Sequence, residues 1–348
     1  MAVLENLNWT STDSPLYLNP RLPNVTANKL IHLYTHIKPF EHLKAHIILT
    51  TSGTHQLKLV ALKKDAFLCA ATSVNNHINA TKEDRWLNPL PPFHVGGLGI
   101  HARAYLSEST VIALPKWSVP HFIERIKTDK ITLTSLVPTQ LFDIVSQNKK
   151  CPPSLRHIFI GGSALSSAVA NKARILGWPI STCYGMTETA SQILINGKAY
   201  PHVKIKTDPR SKKLMITSDC LLTGYCELIN DSPQLIDPKK NGWFLTDDHC
   251  EIKNDKITIL GRGSEMVKIG GELVSLQRLN LHLDNAKFQS NFKEKAVLIA
   301  EQDNRLGNHI VLRTNSKKTE KLIQYYHQIC SPFERIKYML KLHLKKRM

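Results

Sequence analysis

Alternating strand-like and helix-like runs between residues 46 and 185 constrain the fold of this chain most strongly. "HIILTT" (46–51) predicts a strand, and "LKKDAFLCAATSVNNHI" (62–78) predicts a helix. The alternation continues toward residue 185, with Ser118 suited to cap one helix and Gly177 suited to end another. Short apolar runs separated by helices indicate crossover connections, and therefore mostly parallel sheets flanked by helices.

The pattern changes after residue 200. Four short strand-like runs separated by turns predict a small antiparallel subdomain, in which Asn254-Asp255 forms a hairpin turn. Beyond Gly261-Arg262-Gly263, two strand-like runs and a helix-like run predict a small α+β unit. We therefore expect an α/β protein with a large N-terminal domain over residues 1–262, which includes the subdomain, and a small mobile α+β domain over residues 263–348.

Charge and hydropathy restrict the function classes. The chain has 46 Lys and Arg against 28 Asp and Glu, for a formal net charge of +18, which attracts anions such as nucleotides, coenzyme A or nucleic acid. No helix-turn-helix, zinc-finger or aromatic RNA-binding signature accompanies the charge, so nucleic-acid binding is the minor alternative. No apolar run approaches the length of a membrane span, and the first twenty residues lack a secretory pattern. We expect a cytoplasmic protein without a membrane span.

Cysteine and histidine spacing gives no local metal motif. The seven cysteines form no C-x-x-C pair, which argues against a disulfide framework or a cysteine-rich zinc site and favours buried reduced thiols. The pairs His32/His36 and His42/His46 have helical spacing, but they lack a convincing third ligand and a general base. We interpret all four as solvated helix residues.

"CYGMTETA" (183–190) is the most informative stretch. A strand-like run is followed by the hydroxyl and carboxylate groups of Thr187, Glu188 and Thr189. At the carboxyl end of a parallel strand such groups face the ligand crevice, and a carboxylate there can hold a divalent metal that bridges nucleotide phosphates. Alternatively, Thr187 caps a helix with Glu188 in its first turn. The residues alone favour neither interpretation.

Three further stretches carry groups suited to a nucleotide. They are "IFIGGSALS" (158–166), "GWFLTDDHCEI" (242–252) and "GRGSEMVKIGGELV" (261–274). Paired glycines let a ligand approach the backbone, and a carboxylate can accept ribose hydroxyls. Arg262 could hold a ribose or phosphate, and Lys268 could face a developing anion. Taken singly, each stretch is also explained by an ordinary turn or by a linker with solvated charges.

The order of the motifs along the chain is more specific than any one of them. TSGT (51–54) and PPFHVGGLG (91–99) precede GGSALS, YGMTETAS, GWFLTDD and GRGSEMVKIGGELV. From about residue 46 to the C-terminus, this order resembles the adenylate-forming superfamily of acyl-CoA synthetases, luciferases and peptide-synthetase adenylation domains. Chain length and "LPPFHVGGLGIHARAYL" most resemble the 2-succinylbenzoate–CoA ligases of menaquinone biosynthesis.

The resemblance implies an ATP- and Mg²⁺-dependent ligase in which a carboxylate attacks the α-phosphate, pyrophosphate leaves, and coenzyme A then takes the acyl group. The implied nucleotide-binding residues are Thr51, Ser52, Gly53, Thr54 and Lys58 of the phosphate loop, Gly161, Gly162 and Ser163 beside the adenine, Tyr184 stacked on it next to Gly185, and Asp248 and Arg262 at the ribose. The implied catalytic residues are His94 between the nucleotide and acyl pockets, Thr187 at the α-phosphate, Glu188 as the Mg²⁺ ligand, and Lys268.

Several departures from the family pattern bear on activity. The loop reads His55-Gln56-Leu57-Lys58, one residue shorter and without the second glycine, Asp247 replaces the glycine of a Thr-Gly-Asp triplet, and Ser264 occupies the hinge position. We expect a first domain reduced at its N-terminus and a second one truncated before the family's terminal lysine, which Lys345 or Lys346 could replace. A slow or inactive homologue that only binds nucleotide, and a basic nucleic-acid-binding protein on the same fold, remain the alternatives. The sequence leaves the oligomeric state open, a homo-oligomer included.

Overall fold

The computed structural model describes residues 7–50, 58–230 and 232–342. The predicted phosphate-loop residues Thr51, Ser52, Gly53 and Thr54 lie outside the described residues, as do Lys345 and Lys346.

The helices are α1 Asn24–Ile37, α2 Lys64–Ile78, α3 Val95–Ser107, α4 Val119–Thr128, α5 Pro138–Ser146, α6 Ser167–Ile175, α7 Leu276–Ser290 and α8 Glu320–Ile329. The strands are β1 Leu16–Tyr17, β2 His46–Thr50, β3 Leu59–Lys63, β4 Arg85–Asn88, β5 Thr110–Ala113, β6 Leu133–Leu136, β7 His157–Ile160, β8 Ile180–Gly185, β9 Gln192–Ile195, β10 Lys198–Ala199, β11 Lys204–Thr207, β12 Lys213–Thr217, β13 Gly224–Ile229, β14 Ser232–Ile236, β15 Phe244–Lys253, β16 Lys256–Arg262, β17 Met266–Ile269, β18 Glu272–Ser275, β19 Ala296–Asp303, β20 Gly307–Thr314 and β21 Ile336–Leu340.

The chain divides into two compact units. The first comprises Met1–Ser163, Leu176–Lys206 and Met215–Leu245, and the second comprises Ala164–Ile175, Thr207–Leu214 and Thr246–Met348. The second unit therefore takes two short segments from earlier in the chain, besides the C-terminal segment. The sequence boundary at residues 262 and 263 stays a prediction.

The main sheet of the first unit has seven strands in the order β10-β9-β8-β7-β6-β4-β5. The five strands from β8 to β5 pair in parallel, as predicted, whereas β9 and β10 are antiparallel additions. Parallel neighbours end at the same edge of the sheet, so the segments that follow β7 and β8 lie side by side. This edge brings together the glycine pair after residue 160 and the "YGMTETA" stretch.

The other sheet of the first unit has the order β1-β2-β3-β13-β14 and is mostly antiparallel, since only β1 and β2 pair in parallel. The structure thus corrects one local prediction: Leu59–Lys63 is a strand, and the following helix starts at Lys64 rather than at residue 62. A short apolar run of this kind has no period that separates a buried strand from a helix. Helix α1 covers the sheet, with Leu33 and Ile37 packed against Ile48 and Leu59.

The four strand-like runs after residue 200 form a single sheet, with the predicted hairpin turn between the last two strands. A four-stranded sheet has the order β11-β12-β15-β16. Asn254 and Asp255 connect β15 to β16 with φ angles of 48° and 60°, which is the left-handed pair that a tight two-residue hairpin turn requires. The predicted Asn-Asp turn is confirmed.

The C-terminal part of the second unit is the predicted small α+β assembly. Strands β19, β20 and β21 form one sheet, and β17 and β18 form a hairpin. Leu279 and Leu283 of α7 and Tyr326 of α8 pack against Leu298 and Ile310 in a closed apolar core. This core is built from residues beyond 266 alone, so the second unit has its own hydrophobic centre.

The histidines that the sequence places on exposed helix surfaces have different environments in the structure. His32 and His36 are exposed on α1, as predicted. The same interpretation of His46 is wrong: it is buried in β2, where its Nε2 lies 2.7 Å from the Thr223 hydroxyl.

Among the described residues, no helix has the length and apolar character needed to cross a membrane.

Candidate active site

The "YGMTETA" stretch forms a tight turn rather than a helix start. Strand β8 ends at Gly185, Thr187–Thr189 form one turn of 3₁₀ helix, and Ala190 closes it in the left-handed region. The Thr189 hydroxyl accepts a hydrogen bond from the Met186 N–H at 3.0 Å and fixes the turn from inside. The helix-cap interpretation of Thr187 is therefore wrong, because β9 follows directly. Thr187 and Glu188 lie half-buried on this turn.

Gly185 is required by the close approach of the backbone after the turn. A Cβ atom at this position would lie 2.1 Å from the Ser191 carbonyl oxygen and 2.6 Å from the Gln192 Cα. No side chain fits such distances without displacing backbone. The glycine therefore permits the bulge between Tyr184 and Gly185 that precedes the Glu188 turn.

A tyrosine joins two residues that the sequence motifs had predicted separately. The Tyr225 hydroxyl on β13 donates to the Glu188 Oε1 at 2.9 Å, and the Lys58 ammonium lies 3.7 Å from the centre of the Tyr225 ring. Burial raises the pKa of Tyr225, and the Glu188 carboxylate raises it further, so the hydroxyl remains a donor at neutral pH. The three side chains place a cation and an oriented carboxylate around one aromatic ring.

If Glu188 holds Mg²⁺, as the sequence predicts, replacing Tyr225 with Phe should weaken Mg²⁺ binding by about 10- to 100-fold, as is typical when a partner that orients a metal-binding carboxylate is lost. The ring remains, so packing against Lys58 is kept. Mg²⁺-dependent ATP binding, measured by calorimetry over a magnesium titration, checks this. Tyr105→Phe is the matched control, since that tyrosine is exposed. Equal Mg²⁺ dependence in Tyr225→Phe and wild type would contradict the orienting role.

Glycines at the end of β7 lie beside the tyrosine predicted to stack on adenine. Ile160 pairs in parallel with Thr182, and a Cβ at Gly161 would lie 3.6 Å from the Cys183 Cβ. Gly162 has a φ of +85°, which favours glycine, and exposed Ser163 follows it. Gly161, Gly162 and half-buried Tyr184 thus share the carboxyl edge of the sheet.

His94 is positioned at the start of a helix. It is the N-cap residue of α3, and Gly97 in the first turn allows contact with the preceding chain, since a Cβ there would lie 2.4 Å from the Pro91 oxygen. Burial, with a smaller contribution from the Arg21 charge, lowers the pKa of His94. The imidazole is therefore neutral at physiological pH and can donate or accept a hydrogen bond.

A buried arginine on α3 was missed by the sequence analysis. Arg103 on α3 is 2% exposed, and its guanidinium lies 3.1 Å from the Ser191 hydroxyl and 3.3 Å from the Gln192 Oε1. Among the described residues, Arg103 takes part in no ion pair. Burial lowers the pKa of Arg103, yet a guanidinium stays charged in proteins. In sequence, "HARAYL" gives no sign that this helical arginine points inward.

The two residues predicted at the ribose are adjacent in the second unit. Asp248 on β15 pairs with Arg262 on β16, and the Arg262 Nε lies 3.5 Å from the Asp248 Oδ1. The Asp248 side chain is 8% exposed, whereas that of Arg262 is 54% exposed. The hairpin thus presents a buried carboxylate and an exposed cation together, a pair suited to hydroxyl groups.

Asp247, which replaces the glycine of the family's Thr-Gly-Asp triplet, has structural partners. Its carboxylate accepts a hydrogen bond from the Lys213 ammonium at 2.7 Å. A Cβ at Gly263 would lie 2.7 Å from the Asp247 Oδ1, so this aspartate packs directly against the glycine before Ser264. Lys268 is exposed on β17. The catalytic and binding roles of these residues, and of those in the first unit, stay predictions.

A model of the AMP-binding enzyme family matches residues 20–217, more than half of the chain. The chain belongs to the AMP-binding enzyme family. The match includes the parallel sheet and the Glu188 turn, which agrees with the order of motifs in the sequence.

Similar family members are named as ligases. The 2-succinylbenzoate–CoA ligase of Bacillus subtilis (strain 168) is 28% identical over 221 residues, which cover 58% of this chain and 46% of the relative. That of Staphylococcus aureus (strain MRSA252) is 29% identical over 246 residues, 66% of this chain and 49% of the relative. The chain spans about half the length of the curated relatives it matches.

Solved structures of AMP-binding enzymes share the fold. The o-succinylbenzoate CoA synthetase of Bacillus subtilis in complex with the acyl-adenylate intermediate OSB-AMP has a TM-score of 0.75 at 24% identity, covering 85% of this chain and 65% of that one. Its unliganded form has a TM-score of 0.78 at 21% identity, covering 94% and 83%. The α/β class predicted from sequence is confirmed.

Proposed function

We propose that this AMP-binding enzyme is an ATP-dependent acid–CoA ligase that forms an acyl-adenylate and then a thioester, with 2-succinylbenzoate as its acid. The observation that carries the proposal is the meeting of Lys58 and Glu188 on Tyr225. A loop lysine and a metal-binding carboxylate must converge on one polyphosphate, and motifs far apart in sequence converge here. The names of the relatives supply the choice of acid.

The residues present fit Mg²⁺ bound with ATP. Mg²⁺ takes oxygen ligands and is held in such sites by one or two carboxylates together with phosphate oxygens. Glu188 offers a half-buried carboxylate with one oxygen oriented by Tyr225, and the Thr187 hydroxyl is its neighbour in the chain. When bound, Mg²⁺ would neutralise charge on the phosphates.

The chain's own groups act by positioning and electrostatics. Tyr184 provides a face for the adenine, and the backbone at Gly161 and Gly162 permits close approach. Lys58 draws in the phosphates, and Thr187 donates to the α-phosphate. None of these steps needs a covalent nucleophile, since holding the carboxylate against phosphorus lowers the barrier by itself.

Neutral His94 and cationic Arg103 suit an acid with two carboxylates. The reacting carboxylate of 2-succinylbenzoate must approach phosphorus without strong ion pairing, which a neutral imidazole allows. The second carboxylate remains anionic throughout and is stabilised by a fixed cation. Arg103 supplies that positive potential through the Ser191 and Gln192 side chains, with no carboxylate in the described residues to neutralise it.

Replacing Arg103 with Met should raise the KM for 2-succinylbenzoate by about 10-fold, because the second carboxylate loses the positive potential that reaches it through Ser191 and Gln192. The KM for 4-oxo-4-phenylbutanoate, which lacks the ring carboxylate, should change much less. Steady-state rates with both acids check this. Arg174→Met, at an exposed position, is the control. An equal loss with both acids would contradict a role in selecting the second carboxylate.

The function is tested with purified protein, 2-succinylbenzoate, ATP, Mg²⁺ and coenzyme A. We expect acid-dependent release of pyrophosphate and a succinylbenzoyl-CoA product identified by mass spectrometry. Nucleotide binding without pyrophosphate release would favour the inactive homologue. Salt-sensitive RNA or DNA binding without nucleotide binding would favour the basic nucleic-acid-binding protein. Either result would overturn the proposal.

A further inference from the structure

A second cluster of reactive side chains lies away from the candidate nucleotide site. Cys69, His202 and Cys220 each present a ligand atom, and these atoms all lie within 4.8 Å of one another. No other group of three such side chains is found in the described part of the chain. Cys69 lies on α2, His202 precedes β11 and Cys220 follows β12, and all three belong to the first unit.

The histidine ring is held in a defined orientation. Its Nδ1 lies 2.6 Å from the Ser73 hydroxyl, one turn along α2 from Cys69. Its Nε2 is buried and has no hydrogen-bond partner among the described residues. With the proton on Nδ1 donated to Ser73, the lone pair of His202 Nε2 is left for a metal. An unpaired buried nitrogen costs free energy that a metal bond would remove.

We propose that Cys69, His202 and Cys220 bind one Zn²⁺ ion, with water as the fourth ligand. Two thiolates and one imidazole are a ligand set that selects zinc over magnesium or calcium. Tetrahedral zinc with ordinary bond lengths places such ligand atoms about 3.6 to 3.8 Å apart. The observed cluster, within 4.8 Å, needs to contract by about 1 Å or less, which side-chain rotation supplies.

Zinc binding at this cluster should release protons. Burial, with a smaller contribution from Cys69, raises the pKa of the Cys220 thiol. Burial lowers the pKa of His202, and the Asp219 carboxylate partly opposes this. A cysteine ligand binds zinc as the thiolate and a histidine ligand as the neutral imidazole, so each thiol gives up its proton when its Zn–S bond forms. Two S–H bonds break as two Zn–S bonds form, so two protons leave and no electron is transferred.

The zinc would act as a structural tie near the Glu188 turn. Two residues after Cys220, the Leu222 N–H donates to the Glu188 carbonyl oxygen at 2.8 Å. Fixing Cys220 to α2 therefore restrains the segment that supports the backbone of Glu188. The inference does not depend on the proposed ligase activity, because its evidence is the three ligands alone.

Metal content and cobalt substitution test the site. Protein purified under reducing conditions should carry one zinc per chain by elemental mass spectrometry. After chelation, Co²⁺ should give thiolate-to-cobalt charge-transfer absorption, and calorimetry with Zn²⁺ in buffers of different ionisation enthalpy should count two protons. Cys69→Ser and Cys220→Ser should each lose both signals. Cys151→Ser, which removes a half-buried thiol outside the cluster, should keep them.

Three results would overturn the proposal. The first is wild-type protein that, after chelation, binds neither Zn²⁺ nor Co²⁺ stoichiometrically. The second is binding that persists unchanged in the Cys69 and Cys220 variants. The third is a Cys69–Cys220 disulfide in freshly purified protein that forms in place of the metal, seen by intact mass before and after reduction. If the serine variants fail to fold, the chelated wild type still decides, because it carries all three ligands.

Discussion

Glu188→Gln should lower the rate of the adenylation half-reaction by about 1000-fold, equivalent to ~4 kcal/mol of transition-state stabilisation. The substitution removes the negative charge that we propose holds Mg²⁺ but keeps the size of the side chain. The Gln amide oxygen can still accept from the Tyr225 hydroxyl, which donates to Glu188 at 2.9 Å. The turn from Thr187 to Thr189 is fixed by Thr189, so the fold should persist.

ATP–pyrophosphate exchange, measured over a magnesium titration, separates the metal role from general damage. The variant should show a lower maximal rate and a higher magnesium requirement, with an unchanged circular-dichroism spectrum. Glu83→Gln, at an exposed position of the same unit, removes the same charge and should leave both parameters unchanged. An exchange rate equal to wild type in Glu188→Gln would show that another group holds the metal.

The sequence predicted correctly the features that depend only on neighbouring residues, such as a helix cap and a hairpin turn. Ser118 caps α4 by accepting from the His121 N–H at 3.3 Å, and the left-handed angles of Asn254 and Asp255 form the predicted hairpin turn. Strand β3 was missed because its first four residues, 59–62, are buried on both faces and lack alternation. Its strand character comes from pairing with β2 and with β13, which a short window cannot show.

The candidate site was predictable only in part for the same reason. Motifs identified Glu188 and Lys58, but their meeting depends on Tyr225, which lies 37 residues beyond Glu188. The sequence identifies residue 103 as an arginine, but only the fold shows that Arg103 is buried among neutral partners. The proposed zinc ligands come from three elements and have no motif spacing, which is why cysteine spacing alone argued against a cysteine-rich site.

The amino-terminal edge of the same parallel sheet depends on an ion pair whose carboxylate is buried. Asp84, 4% exposed, precedes β4 and accepts from Arg156 Nε at 2.8 Å and Arg156 Nη2 at 2.6 Å. It also accepts from the Thr132 hydroxyl at 2.7 Å and from the Thr81 N–H at 3.0 Å. One carboxylate therefore ties together the chain segments that enter β4, β6 and β7.

Asp84→Asn should reduce the free energy of unfolding of the first unit by about 1 to 2 kcal/mol, because the buried side chain loses its charge-assisted hydrogen bonds, whereas the Arg156 side chain is 39% exposed and its charge stays hydrated. Burial opposes ionisation of Asp84, but the Arg156 hydrogen bonds and the other donors outweigh it and lower its pKa. The stability from this carboxylate is thus complete above its unfolded pKa of about 4 and is lost as pH falls through the lower folded value. The deficit of the variant should therefore shrink at acidic pH.

Urea unfolding followed by tryptophan fluorescence measures this, because all five tryptophans lie in the first unit and Trp86 on β4 is fully buried. Asp129→Asn is the matched control, because Asp129, the ion-pair partner of Arg125, has a more exposed side chain than Asp84. This substitution should lower the free energy of unfolding by only about 0.5 kcal/mol. Equal midpoints for Asp84→Asn and Asp129→Asn at neutral pH would contradict a structural role for the buried carboxylate. A deficit that persists undiminished at acidic pH would instead assign the loss to packing, since protonation would no longer remove the advantage of the wild-type carboxylate.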